Sequence, residues 1–593
     1  VFNKYFKDEL AYLRELGREF ASAYPALAPM LADRGGDPDV ERLLEGVSFL
    51  TGRIRQKLDD ELPEVVHSIA FLLFPHLLRP LPACTILELT PIVSVLRERM
   101  VVPPGAEFAS IPVDGTSCRF RSAWPCELVP WMIEDVRLEA LPRGKEQLRI
   151  RFRTTNGSAA AEVAPAKTRL HLAGDPFSSF GLLMWIHEHL DDVLLLSGVQ
   201  PGREREKERE VSLGKRVVTH AGFADDEALL PFGRLAFPGY RLLQEYYVLP
   251  QKFAFLDVAD IGRVRELDEK ATSFDLAFRF DRPFKDAPAL VDRDLVKLHC
   301  VPAVNIFDAT AEPLRLTLGR ERYLLRPAGL PPEHAEVYAI REVESIATGT
   351  TRRVKIPSFY DFSHAELAGD AARIFYTTHL EPSVSGAGVD VFFSFGSAQN
   401  AAALPDSEVV SVDLLATNGK LANGLRAGDI HLATHGSPAA ATFKNLTAVT
   451  QHVPPPLGRE LQWRVVAHAA MGLRSITEVE VLRSALDVYN LHALVDRQAA
   501  RANELRIAAV MDVQVKPAER LYRGSLVRGV GIEVELDEAG FSGDGDMYLF
   551  AAMLERLFAA YVSLNSFSKT TVTGRGTRMT FQWPARTGNE TLL

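Results

Sequence analysis

The sequence predicts a multi-domain α+β protein with N-terminal helices, β-rich middle domains and a C-terminal α+β domain. Three observations lead there. A chain of 593 residues exceeds what one hydrophobic core organises. Apolar residues recur at helical spacing near the start, and the middle breaks into short alternating segments punctuated by Pro and Gly, as β structure does. The expected divisions are a helical segment at 1–85, a first β-rich domain at 86–325, a second, smaller one at 326–440, and an α+β domain at 441–593.

Composition narrows the functional classes. With 47% hydrophobic and 24% charged residues, the chain has enough apolar side chain to offset the entropy of ordering, which excludes global disorder. The 67 basic and 77 acidic residues give a net charge of -10, so general attraction to phosphate is missing, and neither nucleic acid nor anionic lipid is an expected partner. Cys84, Cys118, Cys126 and Cys300 form no CxxC pair and read as small hydrophobes in a reducing compartment. The opening VFNKYFKDELAYLRELGREF is broken by charges every few residues, unlike an export signal. Residues 65–78, the most apolar window, contain His67, Pro75 and His76 and are too short to cross a bilayer, so no membrane insertion is expected.

The first helix carries Phe6, Leu10, Leu13, Gly17 and Phe20 at alternating spacings of four and three, a seam that wants a partner helix. A second is expected to open at Asp37 as N-cap with Pro38 at the first helical position. Its stripe is Val40, Leu43, Leu44, Val47, Leu50, Ile54 and Leu58, opposed by Glu41, Arg42, Arg53 and Lys57. A third segment from Pro63 through Val65, Val66, Ile69, Phe71, Leu72, Leu73 and Phe74 is apolar nearly all round. Three short helices cannot bury that much surface among themselves. Two coverings remain open: the chain's own next domain, or a bundle completed by another subunit.

Strands follow. Leu148, Ile150 and Phe152 alternate with arginines, and Leu276, Phe278 and Phe280 line one face. The run REREKERE at 203–210 reads as a solvated loop, and a Gly/Ser-rich stretch at 383–400 surrounds an apolar strand at 389–395. Near the end, Thr477 and Glu480 are expected to form a capping box ahead of Leu482, Leu486 and Tyr489. Val530, Ile532, Val534 and Leu536 alternate as a half-buried strand. Asp546 is expected to cap a helix with Phe550, Leu554, Leu557, Tyr561 and Leu564 on its seam, leaving Tyr548, Glu555 and Phe558 exposed. A turn at 574–576 joins two last strands, the second with Met579, Phe581 and Trp583 on one face.

Chemistry is harder to find. The sequence has no GxxxxGK[ST], no GxGxxG between strand and helix, no HExxH and no GxSxG. His187, Glu188 and His189 with Asp191 and Asp192 are the best metal candidate, but on a helix residues two apart point to different sides. The Asp544-Gly545-Asp546 loop lacks calcium-ligand spacing. The N-x-[ST] matches at Asn156 and Asn445 matter only in a secreted chain. No catalytic residue, metal or cofactor is expected.

Several long blocks carry a family resemblance: residues 2–82, opening FNKYFKDELAYLRELGREF; GRLAFPGYRLLQEYYVLPQKFAFLDV at 233–258; CVPAVNIF at 300–307; NLTAVTQHVPPPLG at 445–458; and LVRGVGIEVELDEAGFSGDGDMYLFAAMLERLFAAYVSLNSFSK at 526–569. In order and over essentially the whole chain they resemble the TssF family, also called VasA or ImpG, of bacterial type VI secretion baseplates. The resemblance implies a structural wedge subunit of the cytoplasmic baseplate, docked at the inner-membrane secretion complex. Implied partners are a TssG-like subunit shared by two TssF copies, the second TssF copy, TssK, TssE, the spike hub and sheath proteins. It places Phe6, Leu10, Leu13, Phe20, Leu43, Leu44, Leu50, Ile54, Leu58, Phe71 and Phe74 in a shared helical bundle. It also suggests a contact between TssF copies through the C-terminal domain, where Tyr548, Phe550, Leu554, Phe558 and Tyr561 are the candidates. The REREKERE run and residues 383–405 match no pattern of the family and receive no role.

Overall fold

The computed structural model describes residues 6–7, 10–13, 16, 38–197, 208–233, 237–284, 291–316, 321–346, 353–360, 374–383, 388–397, 409–457, 459–469, 476–522, 525–562 and 566–588. Among these, seven helices have ten or more residues: α1 Pro38–Leu73, α2 Pro176–His189, α3 Pro238–Val248, α4 Arg459–Ala469, α5 Val479–Val488, α6 Arg497–Ala508 and α7 Asp544–Ala560. The chain divides into two compact units, Val1–Pro75 with Leu457–Val465, and His76–Pro456 with Val466–Leu593.

The smaller unit is helical. Residues 6, 7, 10–13 and 16 are helical, while Gly17, Phe20 and the expected N-cap Asp37 lie outside the described residues. The second and third predicted helices are one: α1 runs 36 residues without a break, straight through Pro63. A proline forfeits a single backbone N–H and crowds one carbonyl, at about 3 kcal/mol. Unbroken helix-forming sequence on both sides outweighs that local cost.

In the larger unit the core strand Cys84–Pro91 pairs antiparallel with Cys300–Val304 on one side and with Ala441–Asn445 on the other. The resulting six-stranded sheet also holds Glu107–Val113, Thr116–Ser122 and Ile430–Leu432, so it draws strands from both sides of the expected divisions at 325/326 and 440/441. Its centre is dry: Ile86, Phe108, Phe120, Trp124 and Val301 are fully buried. The expected strands at 148–152 and 274–280 lie within Lys145–Thr154 and Ser273–Phe280, which pair with each other. The strand expected at 389–395 is Val389–Ser397. All four cysteines are buried, and burial pushes the Cys118 thiol up to about 11 and the Cys126 thiol up to about 12, so they behave as small hydrophobes.

The C-terminal region corrects three expectations. α5 starts at Val479 with Glu478 as N-cap and no side-chain cap hydrogen bond, and Glu480 instead accepts from Arg483 at 2.9 Å, a pairing one turn along the helix that replaces the capping box. α7 starts at Asp544 with Gly543 as N-cap. Asp546 acts from inside the first turn, its carboxylate accepting from the backbone N–H and hydroxyl of Ser542, each at 3.1 Å, and from Arg506. The aromatics expected to stay exposed are buried, Tyr548 at 3% exposure and Phe558 at 0%, and so is Glu555 at 2%. The reason is packing on several sides at once: α2, α3 and the strand Phe567–Gly574 all lie against α7. Gly545 permits the closest approach, because a Cβ there would fall inside contact distance of the Phe180 carbonyl and the Gly181 amide.

Candidate interaction surface

On α1 the residues Leu43, Val47 and Leu50 stand at i, i+4 and i+7, hence on one face. They are 68%, 39% and 63% exposed. The adjacent face holds Ser48, fully buried, with its hydroxyl donating to the Leu44 carbonyl at 2.6 Å. The helix therefore uses one stripe inside the unit and presents a second, apolar one. Ile69, Leu72 and Leu73 near its C-terminal end are also exposed, as are Tyr12 and Leu16 of the first helical stretch. Covering a leucine-sized side chain is worth about 1.5–3 kcal/mol, so this surface gains from a partner.

Of the other residues assigned to this bundle, Phe6, Leu10, Leu13, Leu44 and Phe71 are half-buried, and Phe74 is buried. The side chains of Ile54 and Leu58 and all of Phe20 lie outside the described residues. The suggested self-contact residues are different. Phe550 and Leu554 are fully buried, Tyr548 and Phe558 nearly or wholly so, and Tyr561 half-buried. Tyr548 packs on Phe581 and Trp583, and Phe550 on Tyr246. Tyr548, Phe550, Leu554 and Phe558 thus form core within the chain, and of the five candidates Tyr561 alone is half-buried.

The metal candidate disperses. His187 stacks on Tyr548, His189 sits 3.5 Å from Asp281, Asp191 pairs with Lys145 at 2.6 Å, and Asp192 accepts from Ser212 and the Gly214 amide. No group of three or more His, Cys, Asp or Glu among the described residues is placed to hold a metal ion.

What the sequence did not disclose is a buried polar frame to which the quoted block 233–258 contributes Glu245, Lys252 and Asp257. Lys252, fully buried, donates to Glu245 at 2.5 Å and to the Gly222 carbonyl at 2.7 Å. The other oxygen of Glu245 accepts from the amides of Leu229 and Leu230 at 2.6 and 3.2 Å. Glu227 holds the amides of Gly222 and Ala224 and pairs with Arg169, which also grips Asp257. Burial pushes the Lys252 ammonium pKa down while Glu245 pulls it up. The loop 221–230 is thus fixed through charges, of which Lys252 and Glu245 are fully buried. Gly222 belongs there: its φ is 101°, and a Cβ would meet the Lys252 carbonyl.

A second frame joins the strands. Asn305 donates to the Arg119 carbonyl and to Asn418, and accepts from Thr417 and the Asn418 amide, each within 2.9 Å. Asn445 donates to the Arg426 and Thr447 carbonyls and accepts from the Ile430 amide. Asn445 is 1% exposed, so its N-x-[ST] match is a packing motif. Even the REREKERE run, expected to be solvated, contributes: Glu208 at its described end pairs with the buried Arg149.

A β-rich body stapled by buried polar groups, with a helical unit showing an apolar stripe, has the character of a scaffold subunit. Comparison with known proteins agrees. The family model for "Type VI secretion system, TssF" matches residues 1–590, and the chain belongs to that family. The type VI secretion system component TssF1 of Pseudomonas aeruginosa is 27% identical over 99% of this chain and 98% of its own length. Among solved structures, a chain of the type VI TssK–TssF–TssG baseplate subcomplex, seen by cryo-electron microscopy, superposes with a TM-score of 0.78 at 30% identity, covering 93% of this chain and 99% of that one. A chain of the type VI baseplate complex gives 0.61 at 29% identity over the full length of both. The protein is a structural component of a type VI secretion baseplate wedge.

Proposed function

We propose that the chain enters its wedge through the helical unit, where the stripe of Leu43, Val47 and Leu50 on α1 seats on a helix of a TssG-like subunit. The single observation that carries this is the exposure of three apolar side chains at helical spacing on a helix whose adjacent face is already used. Two copies of the chain share one TssG-like subunit, and TssK, TssE, the spike hub and the sheath attach to the wedge so formed. The work is mechanical: interfaces hold the baseplate until contraction, and no bond chemistry is required of any residue. The site of action is the cytoplasmic side of the inner membrane. In support, no helix among the described residues is long and apolar enough to cross a membrane. The related chain solved with TssG and TssK supports the choice of partners.

Co-expression with the TssG-like subunit tests it. A partner that binds only the folded state stabilises it by about 2.7 kcal/mol when present at a hundred times its Kd, so the melting temperature rises on mixing. A monodisperse chain whose melting ignores the TssG-like subunit would sink the reading.

A further inference from the structure

We infer that a cavity of the β-rich body, bordered by the strand Thr116–Ser122 and by α3, is an oxyanion-binding site built around Arg121, taking a carboxylate or phosphate group carried on an apolar frame. Arginine keeps its charge inside a protein, so a guanidinium withdrawn from water needs an anion or a carbonyl to receive its N–H groups. Every other buried or half-buried arginine among the described residues has such a partner. Arg149, Arg151 and Arg169 grip carboxylates, and Arg79 donates to the Pro231 carbonyl at 2.9 Å. Arg121 is half-buried, yet among the described residues its side chain makes neither a hydrogen bond nor an ion pair. Burial pushes its pKa down; Tyr338 and Asp308 favour the cation, and Arg341 opposes it. Asp308 is already committed, to Arg341 at 3.0 Å.

The cavity supplies what the guanidinium lacks room for elsewhere. It holds 660 Å³, and Arg121, Arg241 and Arg341 all line it, against the single carboxylate of Asp225. Arg241 is a fixed charge: buried, it donates to the Phe223 and Ala224 carbonyls at 3.4 and 3.2 Å and to Asp225 at 3.1 Å. α3 opens at Pro238, which is also on the wall, and has no side-chain cap, so the positive end of its dipole adds to the arginines. This positive excess sits in a chain whose net charge is -10, and its sign selects an anion. The fork of Arg121 offers parallel N–H groups of the kind that match a carboxylate or phosphate. Leu229, Leu230, Pro231 and Phe232 give the cavity an apolar side. A bare phosphate or carboxylate would leave most of the volume empty, so the oxyanion comes on a larger apolar frame, as in other sites that pair apolar walls with a few polar groups.

The test is calorimetry on the full-length chain with phenyl phosphate and phenylacetate as probes and benzyl alcohol as the uncharged control. The inference expects at least one anion to bind, the tighter of the two naming the head group, and benzyl alcohol not to. Arg121→Met should weaken binding by about tenfold or more, while the free chain melts no lower than the native one, because an apolar side chain of similar length replaces an unpaired charge. Arg121→Lys keeps the charge without the fork and should fall between. Arg153→Met, at an exposed arginine paired with Glu134, should leave the affinity unchanged. Neither anion binding at millimolar concentration would overturn the inference, as would benzyl alcohol binding equally well or an affinity that ignores Arg121→Met. An Arg121→Met chain that melts many degrees lower would mean that the guanidinium already has its partner within the chain, and that too overturns it.

Discussion

α1 and α7 carry the same kind of apolar seam in the sequence and meet opposite fates in the structure. α7 is enclosed: from Gly545 to Leu554 every residue is buried, including the aromatics that fall off the seam. α1 keeps Leu43, Val47 and Leu50 in solvent. The difference teaches that helical periodicity identifies an apolar face without saying who covers it. Coverage is decided by neighbours, and those of α7 come from residues 176–189, 238–248 and 567–574 of the same chain. In α7, Gly545, Ala551 and Ala552 also keep part of the surface small enough for close packing.

Substitutions in the two helices should separate core from interface. The largest effect belongs to α7: Leu557→Asp places a carboxylate at a fully buried position, at about 5 kcal/mol or more, and the purified chain should be unfolded by circular dichroism. A soluble, cooperatively melting Leu557→Asp protein would mean that α7 is not core.

Next comes the polar frame. Glu245→Gln keeps the shape but leaves Lys252 with no ionised partner in a fully buried site. Breaking a buried pair by removing one charge costs about 3–5 kcal/mol, which denaturant titration should register as a lower midpoint with unchanged slope. A shift below about 1 kcal/mol would show that the site is wet.

Per pH unit, the dependence on acid is smaller. Burial pushes His171 and His299 from 6.5 down to about 4. Both rings are therefore neutral in the fold, and His299 uses a ring nitrogen to accept from the Val129 amide at 3.2 Å. Because the folded pKa lies below the unfolded one, the unfolded chain binds more protons between these values. The stability contribution is full above 6.5 and is lost as pH falls toward 4, at about 1.4 kcal/mol per pH unit for each ring. Denaturant midpoints measured through that window should fall with acid, and a flat profile would contradict neutral burial.

These contrasts also explain what was legible in the sequence. Strands such as Lys145–Thr154 and Ser273–Phe280 announce themselves because alternation is local. The N-terminal apolar excess was legible for the same reason, but the helix Pro38–Leu73 was read as two, one with its stripe ending at Leu58 and one from Pro63, because Pro63 disguised their continuity. Pairing of Cys84–Pro91 with both Cys300–Val304 and Ala441–Asn445 was not legible, since no local pattern encodes a register between distant segments. Glu245 and Lys252 carry no signal of burial in the sequence, because a lone charge in an apolar block is usually solvated. Only the backbone amides and carbonyl gathered around them by the fold make burial tolerable. Tyr548 and Phe558 failed for a related reason: a helix wheel shows one covered face, and α7 has several.

The smallest expected change in stability carries the central claim. Leu43→Asp with Leu50→Asp alters two exposed side chains, so melting of the free chain should move by no more than about 0.5 kcal/mol in equivalent stability. Binding is another matter, because a carboxylate buried without a partner in an interface costs several kcal/mol. Size-exclusion chromatography of the double variant mixed with the TssG-like subunit is the direct measurement. The account predicts a folded chain that elutes apart from the subunit the native chain retains; co-elution at native stoichiometry would contradict it.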